Sequence, residues 1–315
     1  MAADSMDATP QIRPTARASV PGGTDNPIFS LLLSLGVISP EAIEEFYPRV
    51  RDRADVRVMR CTKSGVIFLS SAQAIDPAHY TGKDDFSYWS ATTREQALLE
   101  SRDDDERRAR QFGMLIRQAK WLDVGTGAGG ILDLLGSQAR EACAVEPQVG
   151  ARQQLLLLGH RVYPDIQKVP DYDFEIVTLF HVLEHLTDPV GTLRLIREKM
   201  VAGGKLIVEV PHARDFLITF LQSEAFKKFT FWSEHLMLHT RRSLDVFVRE
   251  AGFTDVRIEG FQRYPLANHL YWLAKGEPGG HKHWNHLQSG ALNRAYASLL
   301  TRLDKTDTLI AVADS

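Results

Sequence analysis

The sequence predicts an α/β fold with a mostly parallel sheet that helices cover on both faces. Two runs, Phe174–Phe180 and Lys205–Val210, have the composition of strands buried on both sides. Segments with helical spacing separate the strand-like runs, as in a series of strand–helix–strand units. A glycine-rich turn at residues 125–130 directly follows the strand-like run Trp121–Val124. Such a turn takes a parallel strand into the next helix.

Further elements support this fold on both sides of that turn. Upstream, Arg57–Ser70 reads as two short strands around a Lys63-Ser64-Gly65 turn. Downstream, apolar runs predict strands at Ala142–Val145, Arg161–Tyr163, Val256–Glu259 and Thr308–Ala313. Helical spacing predicts helices at Gln148–Leu158, Asp188–Met200 and Arg241–Ala251.

Composition divides the chain of 315 residues into three parts. Residues 1–25 are small, polar and rich in Pro and Gly, which predicts a disordered tail. Residues 26–110 mix short helical and strand-like pieces and are predicted to form an α+β cap or lid region. Residues 111–315 hold the main domain, with insertions at about 211–240 and 266–303, the second of them helical.

Two segments before the main domain are rich in charged or aromatic side chains. The charge run Glu100–Arg110 is predicted to be the solvated face of a helix. The aromatic residues Tyr80, Phe86, Tyr88 and Trp89 fit a lid over a ligand and fit equally the small core of the N-terminal region.

Charge and hydropathy exclude several classes of protein. Thirty-seven Lys and Arg against forty Asp and Glu leave a net charge of −3, whereas nucleic-acid or anionic-lipid binding usually brings a basic excess. No apolar run reaches the roughly 18–20 residues that span a bilayer. The two cysteines, Cys61 and Cys143, fit a reducing compartment. We therefore expect a cytoplasmic protein with no nucleic-acid and no membrane partner; the sequence carries no signal for an oligomeric state.

The glycine turn and two acidic residues predict a nucleoside cofactor. Gly125, Gly127 and Gly129 permit a sharp turn and a close ligand, while the following helix offers free N–H groups. Glu146 ends the second strand, where a carboxylate can accept both hydroxyls of a ribose. Asp123 before the turn would repel a pyrophosphate and suits an ammonium group. This pair favours S-adenosylmethionine over NAD and leaves an NAD-dependent oxidoreductase as the weaker alternative.

Five motifs in order strengthen this reading. The segments LDVGTGAGG, AVEP, FEIVTLFHVLEHLTDP, GGKLIVEVP and REAGF resemble class I S-adenosylmethionine-dependent methyltransferases, in particular the small-molecule branch with ubiquinone-pathway and sugar enzymes. The resemblance covers about residues 110–260 and the last strand. It implies a Rossmann-like, seven-stranded, mostly parallel sheet whose last strand is antiparallel, and Thr308–Ala313 fits that position.

The resemblance also implies a cofactor site. Its residues would be Asp123, Gly125, Thr126, Gly127 and Gly129 around the methionine moiety, Glu146 and Pro147 at the ribose, Asp165 at the adenine, and Phe180 and His181 beneath the sulfonium.

Histidine is the natural base for a methyl acceptor, because its ordinary pKa is about 6.5. His181 and His185 are four residues apart and are predicted to share a helix face. His235 lies in a segment that resembles the acceptor-facing part of sugar and quinone methyltransferases. We expect His235 to be the base, with Glu234 orienting it and His181 near the cofactor.

No metal is expected from the sequence. His281, His283 and His286 are close together, but a structural zinc site needs four ligands and no cysteine lies near them. Related proteins often carry two Cys-x-x-Cys pairs near the N-terminus, and here Cys61 stands alone.

The predicted function is methyl transfer from S-adenosylmethionine to a small molecule, in the first place to a hydroxyl of a sugar or glycan-related metabolite. Transfer to carbon or nitrogen fits the same residues. A non-catalytic methyltransferase fold that only binds is the third alternative, since a fold and a cofactor site do not prove turnover.

Overall fold

The computed structural model describes residues 26–72, 86, 91–170 and 172–315. The predicted tail 1–25 lies outside these residues, and so do three of the four lid aromatics, Tyr80, Tyr88 and Trp89. The fourth, Phe86, is buried in a small cluster with Ala97, Ala128 and Ala151. This cluster joins the segment before the main domain to the glycine turn.

A seven-stranded sheet forms the centre of the main domain. Its strands are β4 (Lys120–Val124), β5 (Glu141–Val145), β6 (Arg161–Tyr163), β7 (Phe174–Phe180), β8 (Met200–Pro211), β10 (Thr254–Phe261) and β11 (Thr308–Asp314). Across the sheet they follow the order β10-β11-β8-β7-β4-β5-β6. β11 runs antiparallel to both neighbours and the pairs from β8 to β6 are parallel, which confirms the fold class predicted from the sequence.

The helices begin and end where side chains satisfy their free backbone groups. Asp188 accepts from the Gly191 N–H at the start of Pro189–Glu198, and Thr240 and Ser243 form a reciprocal cap on Arg241–Glu250. The other α-helices of the described residues are Pro27–Ser34, Arg94–Ile116, Gly130–Leu135, Val149–Leu157, Glu224–Thr230, Leu266–Lys275, Gly280–His283 and Gly290–Arg302. None of the helices in the described part of the chain is both long and apolar enough to cross a membrane.

A second, four-stranded sheet connects the N-terminal region to the first insertion. It contains β1 (Ile43–Tyr47), β2 (Val58–Cys61), β3 (Ile67–Leu69) and β9 (Met237–Leu238), in that order. The first three strands are local neighbours, whereas β9 comes from the insertion before the helix Arg241–Glu250. The segment that carries His235 therefore leads into β9, the edge strand of the N-terminal sheet.

The helix Arg94–Ile116 lies on the main domain through buried charges. Arg107 and Arg108 both donate to the carboxylate of Glu209 on β8, at 2.7 to 2.8 Å, and Glu209 is 0% exposed. The charge run Glu100–Arg110 is therefore not a uniformly solvated face: Asp105 and Arg108 are buried. The prediction failed because the acid that pairs with these arginines lies about a hundred residues away.

This helix also crosses the predicted boundary between the cap region and the main domain, residues 110 and 111, without a break. Its C-terminal half packs into the main core, where Phe112 stacks on Phe180 with ring centroids 5.7 Å apart. The division at 110 stays a proposal.

We expect Glu209→Ala to lower the free energy of unfolding by about 3–5 kcal/mol, because it leaves the buried guanidinium of Arg108 and the half-buried one of Arg107 without the carboxylate that they share. The matched control is Glu250→Ala, which removes a half-exposed ion pair to Arg194 and is expected to cost no more than about 1 kcal/mol. Urea unfolding of both variants measures the difference. Equal, small losses would show that the buried network contributes little.

Candidate active site

A cavity opens at the carboxyl end of β4, beside β7. Its empty space, part of which is open solvent, measures about 370 Å³. Its walls are the glycine turn, the end of β7 and one face of the helix Arg94–Ile116. The lining residues are Ser101, Asp105, Arg108, Asp123, Gly125, Thr126, Ala128, Gly130, Ile131 and Phe180. In parallel α/β sheets this edge is where ligands bind.

The glycine turn is possible only because two of its positions lack a Cβ. Gly125 and Gly129 have φ angles of +74° and +76°. A Cβ at Gly125 would lie 2.4 Å from Cγ2 of Val182, and one at Gly129 would lie 2.4 Å from Cδ2 of Leu155. Both positions therefore require glycine for the backbone conformation and for the close approach of a neighbouring side chain.

Asp123 stands buried at the end of β4, with 2% of its surface exposed. Its Oδ1 accepts a hydrogen bond from the Thr178 hydroxyl at 2.6 Å, and Thr178 accepts one from the Trp121 indole N–H at 2.9 Å. Burial raises the pKa of Asp123 to about 6, against the hydrogen bond from Thr178. A cationic group at this place would restore the charged carboxylate.

Glu146 follows β5 and closes over the turn. Its Oε2 accepts from the Gly127 N–H at 2.7 Å, and its Oε1 accepts from the Gln148 N–H at 2.8 Å. Burial raises the pKa of Glu146 to about 7 in spite of these two bonds. Each carboxylate oxygen keeps a further acceptor position for a ligand hydroxyl. The carbonyl oxygen of Pro147 accepts from Arg152 at 2.9 Å.

The helix Arg94–Ile116 supplies cavity residues that the sequence analysis missed. Ser101, Asp105 and Arg108 line the space, and the Ser101 hydroxyl donates to Oδ2 of Asp105 at 2.7 Å. The guanidinium of Arg108 lies 4.7 Å from the centre of the Phe180 ring. The spacing of four and three residues, which puts these polar side chains on one helix face, was the signal available in the charge run.

His181 adopts a left-handed backbone conformation, with φ of +57°, directly after β7. Its Nδ1 lies 3.0 Å from Oε1 of Glu184, and its Nε2 lies 3.2 Å from Oε1 of Glu209 and 3.0 Å from Nη1 of Arg263. Burial and the Arg263 charge lower the pKa of His181, but hydrogen bonds to the two carboxylates outweigh them and raise it overall.

His181 and His185 do not share a helix face, and that prediction was wrong. The chain turns at His181 and forms only a 3-10 turn at Leu183–His185, so the two rings point to different neighbours. The His185 ring lies 5.0 Å from the ring of His235 and 6.1 Å from that of Trp232, measured between centroids.

Glu184, His185 and His235 form a compact group of donors, which we call the His–Glu cluster. One ligand atom of each lies within 4.8 Å of those of the other two. The Leu236 N–H donates to the Glu184 carbonyl at 2.9 Å and so joins the two segments. Burial raises the pKa of Glu184, but the hydrogen bond to His181 and the nearby histidines lower it to about 2 overall.

Burial also holds the pKa of His235 well below its usual value, so that its ring is neutral. The carboxylate that the structure brings to His235 is Glu184. The half-buried Glu234 is its neighbour in the chain, and an orienting role for Glu234 stays a prediction.

Asp165 lies at the start of the 3-10 turn Ile166–Lys168, exposed to solvent. Its Oδ1 accepts from the Gln167 and Lys168 N–H groups at 2.9 and 3.0 Å. A contact with adenine stays a prediction for this residue. In the histidine-rich tract, His283 and His286 are exposed and His281 lies 3.4 Å from Oδ1 of Asn268.

The chain has the nucleotide-binding α/β fold typical of methyltransferases, as indicated by its strand order, its glycine turn and its two buried acids. The chain belongs to a family described as "Methyltransferase domain", whose profile matches residues 93–258, more than half of the chain. The chain therefore carries a methyltransferase domain. The match begins one residue before the helix Arg94–Ile116, which agrees with the contribution of that helix to the cavity.

The curated relatives are similar to only part of this chain. A tRNA U34 carboxymethyltransferase of Dichelobacter nodosus is 34% identical over 106 residues, which are 31% of this chain and 34% of the relative. A ubiquinone biosynthesis O-methyltransferase of Psychrobacter arcticus is 25% identical over 173 residues, 50% of this chain and 66% of the relative. The chain thus spans between a third and two thirds of their lengths.

Among solved structures, an S-adenosylmethionine-dependent methyltransferase of Archaeoglobus fulgidus is 19% identical, with a TM-score of 0.49. The match covers 70% of this chain and 99% of that one.

We expect Gly125→Ala to weaken S-adenosylhomocysteine binding by at least about tenfold, or 1.4 kcal/mol, because the added Cβ displaces Val182. Gly159→Ala is the matched control: its φ is +86°, but no atom lies within 4 Å of the added Cβ. Both variants bear the backbone strain and only one bears the clash. Calorimetric titration of both tests this, and equal affinities would contradict a close contact at the turn.

The raised pKa values predict a pH-dependent affinity for the cofactor. From Glu146 alone, with its pKa of about 7, a ligand that binds the ionised carboxylate should gain about tenfold in affinity between pH 6 and pH 8. The sign follows because the free protein must release the Glu146 proton before the ribose hydroxyls can donate.

Calorimetry with S-adenosylhomocysteine at both pH values measures this change. In Glu146→Gln only the smaller contribution of Asp123, about twofold, should remain. The exposed-site control Glu250→Gln should keep the full change. A wild-type affinity that does not vary with pH would refute the role of Glu146.

Proposed function

We propose that this methyltransferase acts on a hydroxyl of a small, sugar-type molecule. The sulfonium–methyl bond breaks as the oxygen–methyl bond forms, S-adenosylhomocysteine leaves, and the hydroxyl proton passes to a group of the protein and then to water. The sulfur leaving group needs no acid. The protein therefore has to align the two reactants, exclude water and accept a proton.

The cofactor half of the proposal rests on the cavity beside β4. We assign the buried Asp123 carboxylate to the ammonium of the methionine moiety and Glu146 to the ribose hydroxyls. Arg108, which lines the same cavity, offers a positive charge for the methionine carboxylate. These assignments follow the chemistry of each side chain and its place around the turn.

The acceptor half rests on one observation: the His181 ring contacts Glu184 of the His–Glu cluster, and His181 directly follows Phe180, which lines the cavity beside β4. We place the acceptor hydroxyl between this cavity and the cluster, within reach of the methyl group and of His235. We assign to His235, with its neutral ring, the activation of this hydroxyl.

Aromatic side chains next to the cluster support a ring-shaped acceptor. The ring centroids of Trp232 and His235 lie 5.2 Å apart. The guanidinium carbon of Arg51 lies 4.8 Å from the Trp232 ring centroid. An indole beside polar donors offers a face for a sugar ring and partners for its hydroxyls.

A tRNA acceptor is the competing proposal, because curated relatives include tRNA U34 carboxymethyltransferases. The net charge of −3 disfavours it. Transfer from tritium-labelled S-adenosylmethionine to a panel of monosaccharides, nucleoside diphosphate sugars, phenols and amines, run beside bulk tRNA, separates the two. We expect label in an alkali-stable ether of a sugar. Label in tRNA or in an amine would overturn the proposal.

His235→Ala should lower kcat by about 10²–10⁴-fold, the usual contribution of a positioned proton-transfer group, and leave the affinity for S-adenosylhomocysteine unchanged. The control His286→Ala alters an exposed histidine of the second insertion and should keep full activity. Initial rates and calorimetry on both variants provide the check. A His235→Ala enzyme with wild-type kcat would remove His235 from the reaction.

A further inference from the structure

The His–Glu cluster contains two buried polar atoms that the fold leaves without a partner. Oε2 of Glu184 and Nδ1 of His185 accept or donate no hydrogen bond within the described ranges. Glu184 is 0% exposed. A buried carboxylate oxygen without a partner is costly and needs an explanation such as a bound ion.

The geometry of the cluster fits an ion. Atoms that coordinate one tetrahedral Zn²⁺ at 2.0–2.2 Å lie roughly 3.3–3.5 Å apart. The three candidate atoms lie within 4.8 Å of one another. Small side-chain rotations would bring them to the spacing that a tetrahedral Zn²⁺ requires.

The backbone already brings the ligands together. Glu184 and His185 are adjacent on the 3-10 turn after β7, and the hydrogen bond from the Leu236 N–H to the Glu184 carbonyl fixes the His235 segment against that turn. The other oxygen of Glu184 is held by His181 at 3.0 Å. Such an outer hydrogen bond orients a ligating carboxylate.

We infer that Glu184, His185 and His235 bind one divalent first-row transition-metal ion, with Zn²⁺ the ion that suits the donor set. Two imidazoles and one carboxylate are a known ligand set of zinc sites that keep a position open. From the sequence we expect no metal, on the evidence of the tract at His281–His286 and the lone Cys61. The His–Glu cluster could not be recognised in the sequence, because His235 is fifty residues from His185.

The consequence for catalysis rests on the proposed function, whereas binding of the ion does not. With the acceptor hydroxyl in the open position, a bound cation would lower the pKa of that hydroxyl, and its proton would pass to water without first binding to His235. His235 would then activate the acceptor as a ligand of the metal and not as the proton acceptor. The methyl group still moves from sulfur to the same oxygen.

The test is a calorimetric titration of untagged, chelator-stripped full-length protein with ZnCl₂. The variants are Glu184→Gln, His185→Ala and His235→Ala. The control is the double variant His283→Ala/His286→Ala, which removes exposed histidines that can hold zinc at the surface. Absorption of added Co²⁺ provides a second signal, since a four-coordinate site gives a much stronger visible band than free Co²⁺.

We expect one ion per chain for the wild type and the control, and binding at least about a hundredfold weaker in each cluster variant. Zinc binding that is absent in the wild type, unchanged in the cluster variants, or lost in the control overturns the inference.

S-adenosylhomocysteine titrations on the same proteins separate the two proposals. Cluster variants that bind it as the wild type does are folded, so their loss of zinc is specific. Absent S-adenosylhomocysteine binding in the wild type would contradict the proposed function and leave the metal site standing.

Discussion

The site depends on the interactions of one carboxylate, that of Glu209, which is buried near the carboxyl end of β8. It accepts from Arg107 and Arg108 of the helix Arg94–Ile116 and lies 3.2 Å from the ring of His181. These contacts place one wall of the cavity beside β4 and the turn after β7 around the same charge. A buried carboxylate is costly unless its charge is paired, so this pairing couples the helix to the turn. The same charge thus links the cavity to the segment that leads into the His–Glu cluster.

A second constraint comes from the small N-terminal sheet. β3 pairs with β9, and the Leu69 N–H donates to the Leu236 carbonyl at 3.0 Å, one residue beyond His235. The N-terminal region therefore helps to position a segment of the first insertion. It holds the segment with His235 against the carboxyl edge of the large sheet, where His185 and Glu184 follow β7. Two distant parts of the chain have to fold together before the cluster exists.

The elements that depend on local pattern were predictable. Phe174–Phe180 and Arg161–Tyr163 have the predicted bounds, and the turn at Gly125 has the backbone that its glycines indicate. Features set by distant partners were not predictable. The buried side of the charge run depends on Glu209, and the left-handed His181 depends on carboxylates from two elements. The role of Glu184 was not predictable either, because its place beside His235 comes from tertiary structure.

The most direct measurement is a crystal structure with S-adenosylhomocysteine. We predict that the ribose hydroxyls contact Glu146, that the amino group contacts Asp123, and that the sulfur faces Phe180 and His181. We also predict that one acceptor oxygen can contact both the position of the transferred methyl group and the His–Glu cluster. A ligand bound elsewhere, or a sulfur turned away from His181 with protein between it and the cluster, would contradict it.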